Sequence, residues 1–149
     1  MNLLQSQLMS LTEGVPYAVT NLANASALLY QSLPDLNWAG FYLYRDGVLV
    51  LGPFQGKTAC TVIPLNKGVC GAAATRGETL VVPDVHAFPG HIACDSASRS
   101  EIVIPLYVGG ELYGVLDIDS PLPNRFTQED KTVLESFAQT LCQILCTNI

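Results

Sequence analysis

Two runs rich in branched and aromatic residues, Glu101–Val108 and Glu111–Ile118, are separated only by Gly109-Gly110. A Gly-Gly step between such runs is a hairpin signal, because the favoured two-residue turns need positive φ at one or both central residues. The chain is therefore committed to antiparallel strand pairing, and an all-helical fold is excluded. Side chains alternate between the faces of a strand, so Asp117 and Asp119 project from one face while Leu116 and Ile118 project from the other. Trp38–Tyr44 has the same period, with Trp38, Gly40, Tyr42 and Tyr44 on one face and Ala39, Phe41 and Leu43 on the other. Arg45-Asp46-Gly47 turns the chain into Val48–Leu51, and further strands are expected over Ala59–Pro64 and Thr79–Val82.

The ends of the chain read differently. Pro16–Leu33 carries Val19, Leu22, Ala23, Ser26, Leu29, Tyr30 and Leu33 at helical spacing, with Pro34 as its stop. A weaker helical turn precedes it around Leu3–Leu11. Thr127 and Asp130 form a capping-box pattern ahead of Leu134, Phe137, Leu141, Ile144 and Leu145. Cys142 and Cys146 then fall one turn apart on that helix and are expected as core residues. Gly68–Arg76, small and alanine-rich, is expected as a short helix. Strands joined by short turns, with helices against them, make an α+β domain around a mainly antiparallel sheet.

Composition narrows the function. Seven basic and thirteen acidic residues give a formal charge of −6, which offers no footprint for a phosphate backbone, so nucleic acid is not an expected partner. With 49% apolar residues the chain has material for a core, and disorder is excluded. No apolar run reaches the roughly 18 residues of a spanning helix, and Met1–Gln5 lacks a basic leader, so a cytoplasmic protein with no membrane partner is expected. In that compartment the five cysteines should be thiols. No phosphate-binding loop, dinucleotide glycine fingerprint or G-x-S-x-G is present, and no cofactor is expected.

Chemistry concentrates in Pro83–Arg99, a long segment without periodicity that contains Asp84, His86, His91, Cys94 and Asp95. A loop thiol such as Cys94 is reactive when accessible and lowered in pKa, and inert otherwise. Cys60, near a strand start, and Cys70, in Gly-Val-Cys-Gly, are each either a resolving thiol for Cys94 or a buried packing residue. His86, His91 and Cys94 match no zinc signature, so no metal site is expected. Asp117 and Asp119 beside apolar neighbours suit a pocket, where burial and repulsion raise a carboxyl pKa, but also suit a strand end entering solvent. With a strict two-residue turn, Glu101 would pair with Ile118 and face away from both aspartates; a bulge in the hairpin is expected to bring it round. Trp38, expected at a sheet edge, either walls a pocket or packs in the core.

Several segments together resemble one known family. They are Asn37–Tyr42, Leu51–Gly56, Ile63-Pro64, Gly68–Gly71, Val82–His86, His91–Asp95, Ser98–Val103 and Leu116–Ser120, with gaps of 10 and 24 residues between Cys60, Cys70 and Cys94. This set resembles the free methionine-(R)-sulfoxide reductases, enzymes built on a GAF domain. The resemblance implies a single GAF domain over residues 1–149, with a six-stranded, mainly antiparallel sheet and packed N- and C-terminal helices. It implies reduction of free L-methionine (R)-sulfoxide, with Cys94 attacking sulfur and Cys60, in preference to Cys70, closing the disulfide. It implies Glu101, Asp117 and Asp119 as substrate-holding acids, Trp38 and Tyr42 as pocket aromatics, thioredoxin as reductant and a homodimer. Preference for the R epimer rests on the resemblance alone. The competing readings are a non-enzymatic GAF small-molecule sensor and a redox- or zinc-responsive regulator. A sensor is usually joined to an output domain and leaves the cysteine and acids unexplained.

Overall fold

The computed structural model describes residues 1–91 and 96–149. In chain order its elements are α1 (Leu3–Thr12), α2 (Ala18–Ser32), β1 (Trp38–Arg45), β2 (Val48–Gly56), β3 (Val62–Pro64), α3 (Gly68–Arg76), β4 (Leu80–Val82), a 3₁₀ turn (Val85–Ala87), β5 (Ser100–Val108), β6 (Glu111–Ser120) and α4 (Gln128–Leu145). The strands form one six-stranded sheet in the order β3-β2-β1-β6-β5-β4, antiparallel at every pairing. Both tight hairpins use the expected turn chemistry: Asp46 and Gly47 have φ of 53° and 80°, and Gly109 and Gly110 have 60° and 81°.

The sheet separates two apolar layers. Ala39, Phe41, Ile102, Ile104, Leu116 and Ile118 pack on one face against leucines of α1 and α2 and against Leu134, Phe137 and Leu141 of α4. Trp38, Tyr42, Val103 and Val115 face the other way, against Val69, Cys70 and Ala73 of α3. Helix α4 starts at the expected capping box, with Thr127 Oγ1 accepting from Asp130 N and Asp130 Oδ2 accepting from Thr127 N.

Four expectations need correction. Trp38 does not begin an edge strand, because β6 lies against β1 on the side away from β2. Strand β2 runs on to Gly56 through Pro53: a bulge sets Phe41 opposite both Gly52 and Pro53, where the missing N–H of proline costs no ladder bond. Strand β3 is shorter than expected and leaves Ala59 and Cys60 outside it. On α2, Val19, Ala23 and Tyr30 are exposed, whereas Asn21, Ala25 and Leu28 are buried. The buried stripe is drawn round by Asn21, whose Nδ2 donates to Val15 O (3.0 Å) and Asn148 Oδ1 (2.8 Å), a polar anchor that an apolar period cannot reveal.

The expected bulge is present in the β5–β6 hairpin. Leu106 pairs with Gly114 and Tyr107 with Leu112, which leaves Tyr113 as the extra residue. The alternation of β6 changes phase there, so that Leu112 and Val115, three residues apart, both face α3. Beyond it Glu101 pairs with Asp119 and Val103 with Asp117, and all three acids share one face. Gly114 makes the close approach possible. A Cβ at that position would lie 2.2 Å from Tyr42 O and 2.9 Å from Leu43 Cα. Gly114→Ala is therefore expected to cost roughly 3 kcal/mol by overpacking, measured as a lower midpoint of urea unfolding.

Candidate functional site

Three acidic side chains meet beneath α3. Glu101 and Asp117 are 7% and 6% exposed, and Asp119 is half-buried. Burial pushes the Glu101 carboxyl well above the usual carboxylate range, and the charges of Asp117 and Asp119 push it further. Burial also raises Asp117, while hydrogen bonding with Glu101 and Cys70 pulls it partly back. Cys70, in the first turn of α3, joins them: its Sγ, one Glu101 oxygen and one Asp117 oxygen lie within 4.8 Å of one another. Burial and the facing carboxylates push the Cys70 thiol up, so it stays protonated and a poor nucleophile. Asp117 Oδ1 is buried and accepts no hydrogen bond from the described residues. An acid so placed is costly unless something enters to satisfy it.

Beside the acids, on the same face of the sheet, stands an aromatic wall. Trp38 stacks between Tyr42 (centroids 5.8 Å, planes 22° apart) and Phe54 (5.1 Å, 15°). The polar ends of two of these rings reach one short segment: Trp38 Nε1 donates to Lys57 O (3.2 Å) and Tyr42 Oη to Cys60 O (2.9 Å). Burial and the nearby acids hold the Tyr42 hydroxyl in its neutral, donating form. Trp38, Tyr42, Glu101, Asp117 and Asp119 line one cavity, together with Cys70 and the start of α3.

A GAF domain model matches residues 17–145. The chain belongs to the GAF family. Its resemblance to the free methionine-(R)-sulfoxide reductases is borne out by its relatives. It is 54% identical over 138 residues to the free methionine-R-sulfoxide reductase of Escherichia coli, covering 93% of this chain and 84% of that protein. Protein YtsP of Bacillus subtilis is 57% identical over 141 residues, covering 93% and 86%. Among solved structures, the free methionine-R-sulfoxide reductase of Neisseria meningitidis in complex with its substrate is 44% identical. It superposes with a TM-score of 0.92, covering 95% of this chain and 86% of that one.

Within this GAF chain the cysteines differ sharply. Cys60 is disulfide-bonded, whereas Cys70, Cys142 and Cys146 are free thiols. Cys70 lies in α3, the short helix expected over Gly68–Arg76, and packs against the acids. The expectation of two core cysteines on α4 holds only in part: Cys142 is half-buried, but Cys146 is exposed at the helix C-cap. Cys94, the expected nucleophile, and Asp95 lie outside the described residues. Lys67, Ser98 and His91 also line the cavity, where no apolar period or metal spacing points to them, and Phe54 backs Trp38 without lining it. The His91 and His86 rings stand edge-to-face at 6.4 Å, and burial, followed by His86, lowers the His91 pKa.

Acids with raised pKa values bind more protons folded than unfolded, so their contribution to stability falls as pH rises from the ordinary carboxylate range through the folded pKa. Asp117→Asn removes that penalty while keeping the shape. It is expected to raise Tm at pH 7 by about 2–4 °C, with the gain shrinking toward pH 4, as read by differential scanning calorimetry.

Proposed function

We propose that this chain reduces free methionine (R)-sulfoxide to methionine, with Cys94 as nucleophile and Glu101, Asp117 and Asp119 as the acids that hold the substrate. The observation that carries the reading is the buried acid cluster that lines one cavity with Trp38 and Tyr42. Sulfoxide sulfur is a poor electrophile until its oxygen is protonated, and a carboxyl with a raised pKa keeps a proton to donate near neutrality. The Cys94 thiolate attacks sulfur, the S–O oxygen passes to Cys94 with a proton, and methionine departs as the thioether. Cys94 is left as a sulfenic acid. A resolving thiol then expels that oxygen as water and closes a disulfide.

Cys60 is the favoured resolver, because among the described cysteines it is the one engaged in a disulfide, while Cys70 is a buried thiol with a raised pKa. Thioredoxin restores both thiols by exchange, and the working form is a cytoplasmic homodimer. The ammonium of a free amino acid gives the acids a charge partner, which a residue within a peptide lacks. That difference makes the free amino acid the substrate class.

The deciding assay supplies the separate R and S epimers, thioredoxin, its reductase and NADPH to wild type and Cys94→Ser. NADPH loss with the R form alone, absent in the variant, is expected; no turnover of either epimer would sink the enzyme reading in favour of a GAF sensor. Asp117→Asn and Asp119→Asn should each lower kcat/KM about 100-fold or more, and unchanged rates would remove the acids from the site. For the donor itself, kcat is expected to fall as pH rises through the raised Glu101 pKa. In Glu101→Gln that descending limb should vanish from the pH profile.

A further inference from the structure

The acid cluster contains a sulfur atom that the reductase chemistry leaves idle. Cys70 Sγ and one oxygen each of Glu101 and Asp117 lie within 4.8 Å of one another, all three residues buried. Asp117 Oδ1, buried in the same cavity, has no hydrogen-bond partner among the described residues. One thiol with two carboxylates, converging from α3, β5 and β6, is a donor set for a borderline-soft divalent cation and a poor one for magnesium or calcium. We propose that Cys70, Glu101 and Asp117 form a Zn²⁺ site whose occupancy excludes the substrate's ammonium group from the same acids.

Binding needs no redox partner: the Zn–S bond forms as the Cys70 S–H proton leaves to solvent, and any proton on the two carboxyls leaves with it. The cation satisfies Asp117 Oδ1 and takes three donors from rigid elements, with an open position toward the cavity. Only the effect on turnover rests on the proposed reductase activity; binding itself does not.

The test uses the oxidised full-length chain carrying Cys142→Ser and Cys146→Ser, which leaves Cys70 as the free thiol among the described residues. Added Co²⁺ is expected to give a saturable near-ultraviolet thiolate-to-metal band that Zn²⁺ displaces and excess Mg²⁺ or Ca²⁺ does not. Cys70→Ser should abolish the band. Glu101→Gln, which keeps the sulfur, should weaken Zn²⁺ affinity at least about 10-fold, and near-ultraviolet circular dichroism checks that each variant is folded. Absence of the band, its persistence in Cys70→Ser, or equal displacement by Mg²⁺ overturns the site. In the NADPH assay Zn²⁺ should raise KM for free sulfoxide and leave kcat unchanged; a fall in kcat alone overturns the overlap. A band in a protein that turns over neither epimer would uphold the metal site while removing the reductase reading.

Discussion

The site depends on one extra residue in the β5–β6 hairpin. Strand pairing dictates that a shift of one position moves every side chain beyond it to the opposite face. Without Tyr113 as the extra residue, Glu101 would point into the layer formed by α1, α2 and α4, among leucines and phenylalanines. With it, Glu101, Asp117 and Asp119 meet on the α3 side, and Trp38 and Tyr42 of β1 share that face because β1 pairs with β6 in register. The antiparallel ladder then carries the arrangement from strand to strand, and Gly114 lets β1 and β6 approach at the same place.

That arrangement opposes stability. Two buried carboxyls and a buried thiol occupy positions where aliphatic side chains would serve the fold better. The opposite layer carries the compensating burial: Leu8, Leu22, Leu29, Phe41, Ile102, Leu116, Phe137 and Leu141 are all fully enclosed there. The sheet thus has a structural face and a chemical face, and the polar residues tolerated on the second are those that a charged small ligand or a cation would satisfy.

Much of this was legible in the sequence, for physical reasons specific to each part. Period-2 alternation and glycine turns exposed β1, β5 and β6, since side-chain orientation in a strand is a local property. The β5–β6 bulge could be inferred only from chemistry, because nothing in the apolar pattern requires Glu101 to join the aspartates. The edge position expected for Trp38 fails because spatial order is not chain order: β6, distant in sequence, closes on β1. The turn of α2 was hidden by Asn21, a polar residue buried through long-range hydrogen bonds. Which of Cys60 and Cys70 is free depends on partners brought together by folding, and no spacing rule reaches that.

The two hydrogen bonds from the aromatic wall to Lys57 O and Cys60 O tie the cavity to Cys60, which is held in a disulfide. Binding and redox equilibria joined in this way obey reciprocity. Whatever factor disulfide formation imposes on the affinity for a bound molecule, that molecule imposes the same factor on the disulfide's equilibrium with its reductant. A ligand held less tightly by the oxidised form would therefore make that form easier to reduce. The reduction potential of Cys60 would then change with the concentration of whatever fills the pocket.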